Sequence, residues 1–299
     1  MPERLLVLPP LPARPADGHK GLFGRVLIVG GNPEMIGAPA FAGAAAFRAG
    51  AGLVQIATPK SILPFCLAIE PELIGLAMPA AQKRWDEAIA KADAIVIGPG
   101  LGQSAAAKKC LDGLLRTDKT IVIDADAINL LAAGRTWPKR VKAKLILTPH
   151  PGEMQRLGRL IGKPKQTQTH EDRLNTALRA ADATGQVIIL KGARTIVTDG
   201  RRVYVNDTGD SSLSKAGTGD VLTGICATLV AQGTEPFLAA SMSPWIHGMA
   251  GEIAGARRTP RSTSARDIVD AIGEAMVRYE GRFGVDDGTK SDQKHKVTT

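Results

Sequence analysis

Short aliphatic runs alternate with helix-length segments along most of the chain. Val26-Leu27-Ile28-Val29 ends in Gly30-Gly31, and an Ala-rich helical stretch follows from about Ala38 to Ala49. Leu53 to Ala57 comes next. Ala94-Ile95-Val96-Ile97 then runs into Gly98-Pro99-Gly100-Leu101-Gly102 and a helix to about Leu115. Ile121-Val122-Ile123 ends in Asp124, and Leu145-Ile146-Leu147 ends in Thr148. A helix near Glu171 to Thr184 precedes Val187-Ile188-Ile189-Leu190, which ends in Lys191. Unbroken apolar runs separated by helices predict parallel strands buried on both faces. The fold class is therefore α/β, a central, mostly parallel sheet covered by helices on both faces.

The rhythm breaks once. Ile196-Val197-Thr198, Asp199-Gly200 and Val203-Tyr204-Val205 read as a hairpin, and two or three helices follow with no strand between them. No linker, repeat or low-complexity block interrupts this order. One domain is expected from 19 to 284, with a tail at 1–18 and a polar, lysine-bearing tail at 285–299. In such open sheets ligands bind beyond the carboxyl ends of the strands, so the polar residues at those ends are the ones to weigh.

Composition narrows the class. The 299 residues are 44% hydrophobic and 22% charged, with 33 Gly and 19 Pro, which fits neither disorder, collagen nor coiled coil. A chain of this size buries roughly 75% of its unfolded surface without staples. The formal charge of +9 suits either nucleic acid or an anionic small molecule. Its basic residues are scattered and not interleaved with aromatics, which argues against nucleic acid. Cys66, Cys110 and Cys226 have no disulfide or zinc spacing and read as reduced thiols. The first residues lack the apolar run of a signal peptide, and Arg48 interrupts the most apolar long stretch. A cytoplasmic protein that neither spans a membrane nor binds nucleic acid is expected.

Ser214-Lys215-Ala216-Gly217-Thr218-Gly219-Asp220 carries the sharpest chemistry. Two glycines flank a threonine just before a helix, so free backbone N–H groups and the positive helix end converge on an anion. Asp220 in the first turn could take a proton from a substrate hydroxyl; the plain alternative is a glycine turn with Asp220 as helix N-cap. Gly100 onward fits G-x-G-x-x-A with Asp124 about 20 residues later, a dinucleotide fingerprint or simply a tight βα turn. Thr148-Pro149-His150-Pro151-Gly152-Glu153 places one histidine and one acid at a strand end. Lys191-Gly192-Ala193-Arg194-Thr195 offers a strand-end cation to phosphate, or is an exposed turn. Asp124 is either a helix cap or a polar member of the site, and His247, on an apolar helix, reads as a packed core histidine. No Walker A, H-E-x-x-H or G-x-S-x-G motif occurs.

The series as a whole resembles one family. It comprises His19-Lys20-Gly21, Gly30-Gly31, Arg48 to Gly52, Gly98 to Gly102 and Asp124-Ala125-Asp126-Ala127. It continues with Thr148 to Glu153, Leu190-Lys191-Gly192, Gly217-Thr218-Gly219-Asp220 and His247-Gly248. In this order the motifs resemble the ADP-dependent NAD(P)H-hydrate dehydratases, the carbohydrate-kinase-like half of bifunctional repair enzymes. The resemblance implies a ribokinase-like fold. It implies conversion of the S epimer of hydrated NADH or NADPH to the reduced cofactor, with ADP consumed to AMP and phosphate and Mg²⁺ assisting. It also implies that Pro39, Gly102, His150 and Asp220 face the hydrate, with Asp220 catalytic. Lys191, Gly192, Ala193, Arg194, Thr195, Gly217, Thr218 and Gly219 would hold the nucleotide.

Two positions depart from the family pattern: Gly209-Asp210 stands where Gly-Asn is usual, and Pro39 where a small residue is usual. The epimerase half is missing, so a separate epimerase is expected as a pathway partner, and a homo-oligomer is expected for this chain. A vitamin or sugar kinase of the same fold would use Asp220 identically but stop at the phosphate ester. A non-catalytic nucleotide binder would have no need of that aspartate.

Overall fold

The computed structural model describes residues 2–134, 137, 141–161 and 169–283; the expected polar tail at 285–299 lies outside them. The strands are β1 (Glu3–Arg4), β2 (Arg25–Val29), β3 (Leu53–Pro59), β4 (Ile74–Met78), β5 (Ala94–Ile97), β6 (Thr120–Ile123), β7 (Lys144–Leu147), β8 (Val187–Leu190), β9 (Ile196–Thr198) and β10 (Arg202–Val205). The helices are α1 (Gly37–Arg48), α2 (Leu63–Ile69), α3 (Gln82–Lys91), α4 (Ala105–Leu114), α5 (Ala125–Ala132), α6 (Pro151–Ile161), α7 (His170–Thr184), α8 (Thr218–Ala231), α9 (Pro236–Arg257) and α10 (Ala265–Gly281).

Among the described residues the strands form one sheet in the order β1-β10-β9-β8-β7-β6-β5-β2-β3-β4. All pairs from β4 across to β8 are parallel, and β9 runs antiparallel to both of its neighbours, as the hairpin pattern predicts. Period-2 alternation sorts the strand residues onto two cores. Val26 and Ile28 of β2 pack with α1, α8, α9 and α10, whereas Leu27 and Val29 pack with α3 to α7. Both faces are covered, which is why these strands read as continuous apolar runs.

The expected N-terminal tail is part of this body. Glu3–Arg4 pairs in parallel with β10, Leu8 is buried, and the Tyr279 hydroxyl donates to Pro9 O at 2.6 Å. Covering the outer edge of β10 leaves fewer open backbone groups there.

The chain runs outward through β2, β3 and β4, then returns to lay β5 on the other side of β2. The carboxyl ends of β2 and β5 thus border the crevice where the strand order reverses, the usual ligand position in such sheets. Gly98 leaves β5 at φ +129°, and a Cβ there would lie 1.8 Å from Asp124 O. Only glycine lets the β5 and β6 exits approach this closely. Among the described residues no helix is long and apolar enough to cross a membrane.

Candidate functional site

Three adjacent strands, β6, β7 and β8, deliver Asp124, Thr148 and Lys191 to one point. Asp124 occupies the N-cap position of α5 but makes no side-chain cap bond. Its Oδ1 instead accepts from Thr148 Oγ1 at 2.6 Å and from Lys191 Nζ at 2.7 Å. The carboxylate is 2% exposed. Asp124 thus stands at the cap position while its side chain serves Thr148 and Lys191 instead. Ala125, just after it, takes a left-handed φ of +47°.

Lys191 also lies 3.8 Å from Glu153 Oε2, so this strand-end cation is held by carboxylates, while Gly192, Ala193 and Arg194 of the turn after it are exposed. Burial pulls its ammonium down, but Asp124 and Glu153 outweigh that and raise it above the ordinary lysine value. Burial pushes Glu153 up, with Lys191 opposing and Asp124 adding to the rise. Asp220 is raised well above the ordinary carboxylate value, first by burial and then by Asp124, with Lys191 pulling it back.

Asp220 stands in the first turn of α8, two positions inside its start. The N-cap is Gly217 in the left-handed region at φ +89°, with no side-chain cap bond, so Asp220 is not the cap that the plain sequence reading allowed. Thr218 Oγ1 instead braces the turn, donating to Leu213 O at 2.8 Å. The first N–H groups of a helix have no intrahelical acceptor, and here those of Gly219 and Asp220 point to the same end as the Lys191 ammonium. A Cβ on Gly219 would lie 3.4 Å from Lys191 Nζ and 3.8 Å from Asp124 Oδ2. Among the described residues no hydrogen bond or ion pair engages the Asp220 carboxylate.

A cavity of about 450 Å³ opens on one side of Lys191 and Gly219. The whole turn from Lys191 to Thr195 lines it, with Thr218 and Gly219. Arg173 Nη1 holds that turn by donating to Ala193 O at 2.6 Å, and Arg194 adopts φ +55°. Gly217 lies outside the wall, facing Ala265 and Phe41. Asp210, the acid at the usual Asn position, is in the wall and accepts from Ser212 N at 2.8 Å. His247 is buried as expected but forms part of the cavity wall, and burial pushes it down to about 4, so its ring is neutral.

Pro39, Gly102 and His150 lie outside that wall; Pro39 and Gly102 border the β2 and β5 exits, and His150 follows β7, two strands from β5. Pro39 on α1 sits against the Gly30-Gly31 turn, and Gly102 N donates to Asp126 Oδ2 at 2.8 Å. His150 starts α6: its Nδ1 accepts from Gly152 N at 3.0 Å, and its own N–H donates to Glu153 Oε2 at 2.8 Å. Its Nε2 lies 3.4 Å from Glu153 Oε1. Glu153 therefore links His150 to Lys191, a role that was not assigned from sequence. Its signal was present in the spacing, an acid three residues after the helix-starting histidine. Lys191 and Gly219 line the cavity, and Asp220 follows Gly219 directly.

The pattern of the NAD(P)H-hydrate dehydratase family matches residues 26–274. The chain belongs to that family. A bifunctional NAD(P)H-hydrate repair enzyme of Moorella thermoacetica is 41% identical over 282 residues, covering 90% of this chain and 52% of the relative. An ADP-dependent (S)-NAD(P)H-hydrate dehydratase of Neisseria meningitidis is 40% identical over 248 residues, covering 81% of this chain and 80% of the relative. The crystal structure of the Bacillus subtilis ADP/ATP-dependent NAD(P)H-hydrate dehydratase, co-crystallised with ATP and Mg²⁺, superposes with a TM-score of 0.78. It is 31% identical and covers 91% of this chain and 95% of that one. A ribokinase-like superfamily protein of Enterococcus faecalis superposes with the same TM-score of 0.78 at 28% identity, covering 90% and 92%. The dehydratase fold is thus ribokinase-like. The chain spans about half the length of the bifunctional relatives.

Proposed function

We propose that the chain is an ADP-dependent NAD(P)H-hydrate dehydratase, acting on the S epimer of hydrated NADH or NADPH. The observation that carries this is the half-buried Asp220 carboxylate, with no hydrogen-bond partner among the described residues, in the first turn of α8 directly after Gly219 of the anion-ready cavity wall. ADP occupies the cavity lined by Lys191 to Thr195, Thr218 and Gly219. The hydrated ring lies by Pro39, Gly102 and His150.

Asp220 takes the proton of the ring hydroxyl. The freed oxygen pair bonds to the β-phosphorus of ADP as its bond to the bridging oxygen breaks, and AMP leaves. The N–H groups of Gly219 and Asp220 and the Lys191 ammonium hold the charge on the moving phosphoryl group. The ring nitrogen's electron pair then expels phosphate with the electrons of the C–O bond. Loss of a proton from the neighbouring ring carbon to the departing phosphate restores the dihydropyridine. Burial suits Asp220 to the task, because a raised carboxyl is a stronger base.

Mg²⁺ fits this site only in company with the nucleotide. Among the described residues no group of three or more His, Cys, Asp or Glu side chains could hold a metal alone, and Mg²⁺ is usually held by one or two carboxylates plus substrate phosphates. Asp124 and Glu153 would be the carboxylates to hold it alongside the phosphates, since both flank the Lys191 ammonium. When bound, Mg²⁺ would neutralise charge on the transferring phosphates. An epimerase that interconverts the R and S hydrates is the partner activity this reading implies.

The test uses purified protein, Mg²⁺ and the S hydrate of NADPH, with and without ADP. Recovery of dihydronicotinamide absorbance with stoichiometric phosphate and AMP is expected. A stable phosphate ester without recovered absorbance would make the protein a kinase, and equal recovery without nucleotide would remove the phosphorylation step.

A further inference from the structure

A further cavity, of about 350 Å³, is lined by Gln103, Asn129, Ala132, Ala133 and Arg156. Each of its polar residues continues a segment that carries Gly102, Asp126 or His150. Gln103 follows Gly102 directly. Asn129 lies one turn along α5 from Asp126, which holds the Gly102 N–H. Arg156 lies on α6 six residues beyond His150, about 9 Å at 1.5 Å per residue.

Arg156 is exposed and aimed. Its Nη1 donates to Asn129 Oδ1 at 2.7 Å, a neutral partner that fixes the guanidinium without consuming its charge. Among the described residues no carboxylate pairs with it. Arginine presents a planar fork suited to phosphate. On the opposite flank of Lys191, Arg194 lies in the wall of the nucleotide cavity. The two arginines therefore line separate cavities.

We propose that the Gln103–Asn129–Arg156 cavity receives the rest of the dinucleotide substrate, and that Arg156 binds one of its phosphates. This rests on the reading of the crevice as the hydrate site. With the ring beside His150, Gly102 and Asp220, the remainder of the molecule leads along α6 toward Arg156. Two phosphates offer the same chemistry, the pyrophosphate common to both cofactors and the 2′-phosphate of NADPH alone.

The experiment compares wild type, Arg156→Ala and Arg156→Lys on the S hydrates of NADPH and NADH, with the KM for ADP and the melting temperature as controls. Calorimetry with NADPH and NADH reads binding without turnover. For Arg156→Ala, a roughly ten- to hundredfold rise in KM and in Kd is expected, the worth of a charge-assisted hydrogen bond. Lysine should recover part of the loss, and the KM for ADP should stay within about twofold. A rise for both cofactors assigns the pyrophosphate; a rise for NADPH alone assigns the 2′-phosphate. Unchanged KM and Kd for both, or no dinucleotide binding by the wild type, overturns the proposal. Failure of ADP-dependent turnover in a wild type that still binds NADPH through Arg156 would instead overturn the proposed reaction.

Discussion

The Lys191 ammonium lies 2.7 Å from Asp124 Oδ1, across 67 residues of sequence, and Lys191 also lines the cavity it shares with Thr218 and Gly219. A lysine at a strand end suggested a simple phosphate contact. Its actual setting, with Asp124, Glu153 and Asp220 around it, makes it also the counter-ion of a buried acid cluster.

Lys191→Ala should therefore do more than weaken nucleotide binding. It strands the Asp124 carboxylate, and breaking a buried pair by removing one partner costs roughly 3–5 kcal/mol. Denaturant unfolding should show a loss of that order together with loss of turnover. The double variant Asp124→Asn with Lys191→Met should regain much of the stability and none of the activity. Full activity in the double variant would show the pair to be structural only.

Thr148→Val tests the other partner of Asp124. It removes the donor at 2.6 Å and leaves a charged acceptor short of one bond. A loss of about 1–3 kcal/mol is expected, with a reduced kcat because Asp124 and Lys191 are less firmly placed. An unchanged unfolding midpoint would mean that water replaces the hydroxyl.

Much of this architecture was legible in the sequence. Runs such as Ala94 to Ile97 are apolar throughout because helices cover both faces of the sheet, and the Asp199-Gly200 turn announced the hairpin. The stretch from Leu63 to Lys91 was not legible. Its strand β4 is an edge strand with Ile74 exposed, so it lacks a continuous aliphatic signature. The two-residue β1 is too short to leave any pattern. In the site, Asp220 and the Lys191 to Thr195 turn stood out because their motifs are local. The Asp124–Lys191 pair, the wall position of His247 and the Asn129–Arg156 contact depend on which strands and helices become neighbours, which no local motif encodes.

The pH profile should follow from Asp220. As a base it must be ionised, and burial and Asp124 hold it well above the ordinary carboxylate range while Lys191 pulls it back. Activity should therefore fall on the acid side at a pH well above about 3.9, the unperturbed aspartate value. Asp124 raises the Asp220 carboxyl and Lys191 lowers it. Glu153→Gln leaves both in place, so its acid limb should stay close to that of wild type. An acid limb at the ordinary carboxylate value in kcat/KM of wild type would mean that another group is the base.

Asp220→Asn separates catalysis from folding most directly. The folded carboxyl has a raised pKa, so the folded state binds its proton more tightly than the unfolded state. Ionisation thus costs stability: the penalty is absent below the unfolded value near 3.9, and it grows as pH rises until the folded pKa is passed. Asparagine removes that penalty. Melting temperatures of the variant should match wild type in acid and exceed it at neutral and higher pH, less the small helix-dipole benefit of an acid in the first turn. Binding of ADP should hold or tighten, because a carboxylate beside a polyphosphate repels it. Turnover should fall by roughly 10²–10⁴-fold, the usual worth of a positioned acid–base group. A variant that is more stable at high pH yet turns over within a few-fold of wild type would leave Asp220 as a half-buried charge without a catalytic part, and the proton transfer would have to be assigned elsewhere.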